Sequence, residues 1–285
     1  MQRITKIQNL RQIIKAQKHM GKIIALVPTM GYLHRGHLSL VDYAKEEGVF
    51  IVMTLFVNPL QFGPNEDFSK YPRDFERDAA MAEEAGVDLL FHPEVTEMYP
   101  QPALSYIDIE EMADVLCGAS RPGHFRGVCT VVGKLFNIVQ ADKAYFGQKD
   151  YQQYMIIRRM VQDLNFALEV IAVPIVREED GLAMSSRNIY LTAEQRSEAP
   201  VLYRSLQQAA QEIRKGQRDP RLIEKMIREQ IARESSGQTD YIEVRSAADL
   251  TEIQEIRGKV VIALAVRFGT TRLIDNEVVE VVENV

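Results

Sequence analysis

The sequence predicts an α/β fold, a mainly parallel sheet with helices on both faces, followed by a smaller α+β domain. Three observations carry this. Short apolar runs rich in β-branched residues alternate with helical segments from Lys22 to Val173, the pattern of strands buried on both faces. After Ser186 the pattern changes to two successive helices and then strands. The length, 285 residues, suits one large domain plus a smaller one. The boundary falls near Ser186, giving domains 1–186 and 187–285.

Each element has its own signal. Ile4 to Met20 has helical apolar spacing, with Gly21 placed to end it. Lys22 to Val27 (K-I-I-A-L-V) reads as a buried strand, broken by Pro28, Thr29 and Gly31. Leu38 to Glu47 is helical and closes at Gly48, and Val49 to Val57 is a second buried strand. Phe75 to Ala85 is a helix ended by Gly86, and Asp88 to Phe91 a third strand. Helix Val128 to Val139, strand Ala144 to Phe146, helix Tyr151 to Leu164 and strand Ala167 to Val173 complete the alternation, which is Rossmann-like. Beyond it come helices Ala193 to Lys215 and Pro220 to Glu234, then strands Tyr241 to Val244 and Val260 to Arg267.

Composition narrows the partners. The net charge is −6 with no basic stripe, which argues against nucleic acid and for small molecules. Two cysteines, Cys117 and Cys129, do not make a disulfide framework in a chain this long. The polar start M-Q-R-I-T-K-I-Q-N-L is no signal peptide, and no apolar run reaches the ~18 residues of a membrane span. A cytoplasmic protein with no membrane partner is expected.

The first strand runs into Pro28–His37, P-T-M-G-Y-L-H-R-G-H, before a helix. Ligands of open parallel sheets collect at the carboxyl ends of strands, and N–H groups at a helix start meet phosphate oxygens. Gly31 and Gly36 allow close backbone approach, and His34 and His37 can donate ring N–H groups. A structural turn explains the same residues. Zinc would need further Cys or His ligands, and none follows at zinc spacing. No G-x-G-x-x-G occurs, and Gly127 to Lys134 has the wrong spacing for a P-loop, with Leu135 where a hydroxyl is required.

Three further segments stand at strand ends. Phe56 to Phe62 offers Asn58 and Gln61, whose neutral amides suit hydroxyl groups, although Asn58 before Pro59 also suits a turn. In Tyr145 to Gln153, Asp150 could cap the following helix and Lys149 could meet phosphate. In Pro174 to Asn188, Ser185 and Ser186 are capping residues or ligands, and Arg187 beside them makes an anion site because its donor fork fits phosphate oxygens.

The H-x-G-H element resembles that of the nucleotidyltransferase superfamily, which includes class I aminoacyl-tRNA synthetases and binds ATP in this loop. The longer string P-T-M-G-x-L-H-x-G-H, with Q-K-D at Gln148–Asp150 and M-S-S-R at Met184–Arg187, resembles the pantothenate synthetase (pantoate–β-alanine ligase) family over the whole chain. The resemblance implies ATP contacts from Met30, Gly31, Tyr32, Leu33, His34, Arg35, Gly36 and His37. It adds Gly147, Gln148, Lys149 and Asp150, then Val176 through its backbone, and Met184, Ser185, Ser186 and Arg187. It implies pantoate binding by Gln61 and Gln153, β-alanine contact by Gln61, and catalytic roles for His37, His34 and Lys149. The resemblance implies that His37 is a proton donor; the residues themselves read more as a hydrogen-bond donor to phosphate. Arg121 to Val128 also resembles the family and reads as loop-anchoring.

The implied chemistry is condensation of pantoate with β-alanine through a pantoyl adenylate, with ATP as substrate and Mg²⁺ held mainly by its phosphates. No protein metal site is readable, and the family implies a homodimer. An acyl adenylate hydrolyses readily, so the polar stretch Gly63 to Ser69 is expected to act as a lid. Two other readings are a nucleotidylyltransferase acting on a phosphate-bearing acceptor and an idle nucleotide sensor. Gln61 and Gln153 favour a neutral polyol over the first, and intact His34, His37 and Lys149 disfavour the second.

Overall fold

The structure, a computed structural model, describes residues 1–281 apart from Asn65 and Asp67. In chain order the elements are β1 (Gln2–Ile4), α1 (Ile7–His19), β2 (Ile24–Thr29), α2 (Arg35–Lys45), β3 (Phe50–Leu55), α3 (Phe75–Glu84) and β4 (Leu89–Phe91). There follow α4 (Val95–Met98), α5 (Cys117–Ser120), α6 (His124–Val139), β5 (Lys143–Gly147), α7 (Tyr151–Asp163) and β6 (Glu169–Val173). The remainder is α8 (Ala193–Glu198), α9 (Val201–Arg214), α10 (Pro220–Glu234), β7 (Gln238–Ser246), β8 (Gly258–Phe268) and β9 (Thr271–Val281). Among these elements no helix is long and apolar enough to cross a membrane.

Among the described residues, six strands pair in parallel in the order β1-β4-β3-β2-β5-β6. β2 is buried on both faces. Ile24 and Leu26 pack with α1, α6 and α7 on one side, and Ala25 and Val27 with α2 and α3 on the other, as the period of two requires. The chain goes from β2 to β3 on one side and reaches β5 on the other. The order therefore reverses at β2, and the crevice for a ligand opens at the carboxyl ends of β2 and β5. This is the α/β architecture expected from the sequence.

The second sheet is antiparallel, β7-β8-β9. α9 and α10 cover it with a separate apolar core that includes Leu206, Ile213, Ile227, Ile262 and Leu264. Its other face meets the first unit, since Val261 and Ala263 pack into the core that holds α6 and α7.

Of the differences between the local readings and the structure, four have a clear cause. Gln2–Ile4 is an edge strand on β4, and the helix starts only at Ile7. β2 runs through Pro28 to Thr29. The Thr29 carbonyl accepts from Phe56 on the β3 side, so Pro28 faces the β5 side, where β5 pairs only with Ala25 and Leu26 and no ladder needs its missing N–H. Ala193 to Lys215 divides into α8 and α9 at Ala199–Pro200, because Pro200 stands before the first turn of a new helix. No strand is expected over β9 from the sequence, because Asp275 and Asn276 in its middle are poor strand formers.

Candidate functional site

The four chemistry-bearing segments follow β2, β3, β5 and β6 and meet at one edge of the parallel sheet. A cavity of about 210 Å³ lies there, lined by Met30, His34, Gly36, His37, Gln61, Gly147, Lys149, Asp150, Gln153, Val176 and Met184 to Arg187, with Phe56, Val128, Val131 and Val132 as its apolar wall. A larger space of about 780 Å³ adjoins it toward the second sheet and shares Lys149, Asp150, Gln153, Ser185 and Arg187.

The loop after β2 is shaped by a residue that the sequence did not mark. Asp78 of α3 is 2% exposed and accepts from the N–H groups of Tyr32 and Leu33 at 2.6 and 2.7 Å. Burial pushes its carboxyl up, against the pull of those two N–H donors and Arg77. The two bonds hold Gly31 (φ 85°) and Tyr32 (φ 51°) in the left-handed region, where a non-glycine residue is uncommon. At Gly31 a Cβ would lie 3.0 Å from the Asp78 carboxylate. A carboxylate in the first turn of a helix is ordinary in a sequence, so Asp78 carried no signal.

His34 and His37 start α2 with a reciprocal cap. His34 Nδ1 accepts from the Gly36 N–H at 3.1 Å, and His37 Nδ1 accepts from the His34 N–H at 3.3 Å. Two histidines thus do what Ser and Glu do in the usual capping box. Because each Nδ1 accepts, the ring proton of each neutral imidazole sits on Nε2. The ring centroids are 4.0 Å apart. Burial, then Lys149, lowers His34 to about 4. Burial, then His34, holds His37 well below its usual value. Both are therefore neutral N–H donors at pH 7.

Gln61 is 8% exposed and ends the short Pro59–Gln61 turn after β3. Asn58 caps that turn by accepting from Leu60, and its amide donates to Gln61 Oε1 at 3.2 Å and to the Gly127 carbonyl at 3.1 Å. Gln61 Nε2 donates to Met30 Sδ at 3.2 Å. Asn58 is thus both the turn residue expected and the group that orients Gln61. The Arg121–Val128 segment anchors from below. His124 accepts at Nε2 from Arg121 and donates from Nδ1 to the Gln61 carbonyl at 2.8 Å. Arg121 holds Glu66 through two donors, at 2.7 and 2.5 Å. Glu66 belongs to the stretch expected to be a lid, of which Asn65 and Asp67 lie outside the described residues.

After β5, Gln148–Asp150 forms one tight turn into α7. Asp150 occupies the N-cap position of α7, but its side chain makes no capping bond. Its carboxylate lies 3.7 Å from Lys149 Nζ. After β6, the Met184 N–H donates to the Val176 carbonyl at 3.0 Å. Ser185 caps the Ser186–Tyr190 turn by accepting from Arg187 at 3.2 Å. Ser186 is 8% exposed and lies 3.5 Å from the Tyr71 hydroxyl.

Five of the sequence-marked residues do not line the cavity. Leu33 is fully buried, Tyr32 lies under the Arg77 guanidinium, and Arg35 pairs outside with Asp42 at 3.0 Å. Gly31 shapes the loop, and Gln148 turns its carbonyl toward β9. Among the described residues no group of three or more His, Cys, Asp or Glu side chains could hold a metal ion.

The chain is similar to known proteins over nearly its whole length. The family model described as pantoate–β-alanine ligase matches residues 2–278. Pantothenate synthetase of Desulfitobacterium hafniense is 65% identical over 275 residues, covering 96% of this chain and 98% of the relative. That of Acetivibrio thermocellus is 56% identical over 281 residues, covering 99% and 100%. The crystal structure of pantothenate synthetase from Thermus thermophilus superposes with a TM-score of 0.92 at 46% identity, covering 97% of this chain and 99% of that one. Pantoate–β-alanine ligase from Francisella tularensis, complexed with β,γ-ATP and β-alanine, superposes with a TM-score of 0.80 at 34% identity, covering 97% of each. The chain is an enzyme that belongs to the pantoate–β-alanine ligase family.

Proposed function

We propose that the protein condenses (R)-pantoate with β-alanine in two steps, through a pantoyl adenylate, with ATP as the activating substrate. A carboxylate does not react with an amine at neutral pH because its oxygen is a poor leaving group. The pantoate carboxylate therefore attacks the α-phosphorus and pyrophosphate departs. The β-alanine amine then attacks the acyl carbon and AMP departs. Neither step needs a covalent bond to the protein, which has to align reactants and stabilise charge on phosphate oxygens.

The observation that carries this reading is the make-up of the cavity wall. It brings together the donors His34, His37, Lys149, Ser186 and Arg187 and, in the same cavity, Gln61 and Gln153 with apolar Phe56, Val128 and Val131. The first set suits a triphosphate. The second suits a neutral polyol with methyl groups. His34 and His37, neutral with their protons on Nε2, donate hydrogen bonds to phosphate rather than protons to a leaving group. The loops Met30–His37, Gly147–Asp150, Val176 and Met184–Arg187 form the nucleotide side, and Gln61 also meets the β-alanine amine. Among the described residues Asp150 is the acidic side chain in the cavity wall. This fits a Mg²⁺ held by phosphate oxygens with at most one or two protein carboxylates, and the ion would neutralise phosphate charge. The 187–285 domain closes over this site, the protein is cytoplasmic, and the assembly is a homodimer.

The test is isotope exchange. Pantoate, ATP and Mg²⁺ are expected to support exchange of labelled pyrophosphate into ATP without β-alanine. A requirement for β-alanine would overturn the stepwise mechanism, and exchange driven by a phosphate-bearing acceptor in place of pantoate would indicate a nucleotidylyltransferase.

A further inference from the structure

Two consecutive polar residues in the middle of β9 have no role in the reaction as described. Asp275 and Asn276 are 3% and 4% exposed, and stand in register opposite Leu264 and Ala263. Strands select against Asp and Asn, and burying them costs free energy unless every polar atom is paired. Here the pairing is thorough, and it reaches the loops of the site.

The Asn276 amide donates to the carbonyls of both Gln148 and Lys149, at 2.9 Å each. An amide nitrogen has two hydrogens, and both are used on successive carbonyls of the one turn that carries Lys149. The Asp275 carboxylate accepts a fork from Arg177 at 2.6 and 3.0 Å, and the Asn276 N–H at 2.8 Å. Arg177 follows Val176 in the loop after β6, donates to the Gly181 carbonyl at 3.1 Å, and lies 4.0 Å over the Tyr203 ring. One strand of the second sheet thus grips the loop after β5 with one residue and the loop after β6 with the next.

We infer that Asn276 and Asp275 are positioning residues that set Lys149 and the Val176–Arg187 loop at their working separation from the far side of the domain interface. The inference rests on the reading of Lys149 as a phosphate ligand. Neither residue has to touch substrate. Gln148–Asp150 is a single short turn leading into α7, and the two bonds from Asn276 tie its backbone at Gln148 and Lys149 to the second sheet. Asn276 meets those two carbonyls with a rigid, fully buried donor pair.

The test is Asn276→Asp, nearly the same size, which replaces the donor pair with oxygen and faces two carbonyls with negative charge. Single-turnover adenylation, with ATP, pantoate and Mg²⁺, is expected to slow about 10- to 100-fold, as for displacement of a reacting group by an ångström or so. Conversion of preformed pantoyl adenylate and β-alanine to product is expected to stay within threefold of wild type, because pyrophosphate has already gone. In a Lys149→Ala background the same substitution is expected to cost adenylation less than threefold, since the group it positions is absent. Equal slowing of adenylation in both backgrounds, or equal slowing of both half-reactions, overturns the positioning role. If Lys149→Ala alone adenylates within threefold of wild type, the assignment of Lys149 fails first, and that outcome is read separately. Asn276→Ala, which removes the donors without adding charge, replaces Asn276→Asp in the same cycle if the aspartate variant does not fold.

Discussion

Gly127 lies in α6, away from the reacting groups, yet the structure makes it decisive for Gln61. A Cβ added there would stand 2.3 Å from the Leu60 carbonyl oxygen and 2.7 Å from the Gln61 Cα. Both are backbone atoms, so no side chain can swing away. Real Cβ contacts rarely fall below 3.0 Å, and Gly127→Ala must therefore push the Pro59–Gln61 turn off α6 by the better part of an ångström. The bond from Asn58 to the Gly127 carbonyl, 3.1 Å long, is stretched or lost, and with it the group that orients Gln61. Overpacking of this kind costs roughly 1–3 kcal/mol, and the hydrogen bond about 1 kcal/mol more. A displacement of that size in a substrate-positioning residue lowers turnover by about 10²-fold. We expect kcat/KM for pantoate to fall about 10- to 100-fold in Gly127→Ala, while calorimetric ATP affinity stays within threefold. Gly133→Ala, in the same helix, is the control: its Cβ would meet the Ile107 Cδ1 at 2.5 Å, the free end of a side chain. It should lower the melting temperature modestly and leave pantoate kinetics alone. A folded Gly127→Ala enzyme with wild-type pantoate kinetics would refute the argument that this close approach sets Gln61.

Gln61→Ala and Gln153→Ala should each weaken pantoate use by roughly 1–3 kcal/mol with little change in nucleotide binding; calorimetric ATP affinity that falls as far as pantoate affinity would show that the assignment is misplaced. Stability should also depend on pH through His34. Between the ordinary value of 6.5 and the depressed value of about 4, the unfolded chain binds a proton that the folded chain refuses. The contribution is therefore complete above about pH 6.5 and is lost as pH falls toward 4, by roughly 3 kcal/mol in all. His34→Asn keeps an N-cap acceptor but cannot titrate, so its melting temperature should fall less over that range; parallel curves for the two proteins would count against the depressed value.

What could be read from the sequence was whatever local chemistry punctuates. Gly31, Gly36, His34 and His37 crowd one strand end, and runs such as Ile24–Val27 and Ile51–Leu55 are too apolar and β-branched to be anything but buried strands. The four segments could be ordered because each follows such a run. Asp78 could not be found this way. Its partners Tyr32 and Leu33 are 46 and 45 residues distant, and nothing local distinguishes it from Asp74, which caps the same helix. β9 was hidden for a related reason. Its alternation is interrupted by Asp275 and Asn276, which bond to distant loops, so the strand with the most distant contacts carried the weakest signal. Lys149 was readable as a cation after a glycine, but the support for its backbone was not, because Asn276 comes 127 residues later.

That separation also bears on how the protein is made. Translation runs from the amino end, so β2, β3 and β5 are available to pair long before β9 exists. A growing chain can bring His34, Gln61 and Lys149 to one sheet edge while the carbonyls of Gln148 and Lys149 still face water. Closing so long a loop is entropically slow, and only docking of β9 exchanges that water for the Asn276 amide. A chain that has not yet reached Asn276 already carries the candidate side chains of the site but lacks the amide that meets the Gln148 and Lys149 carbonyls.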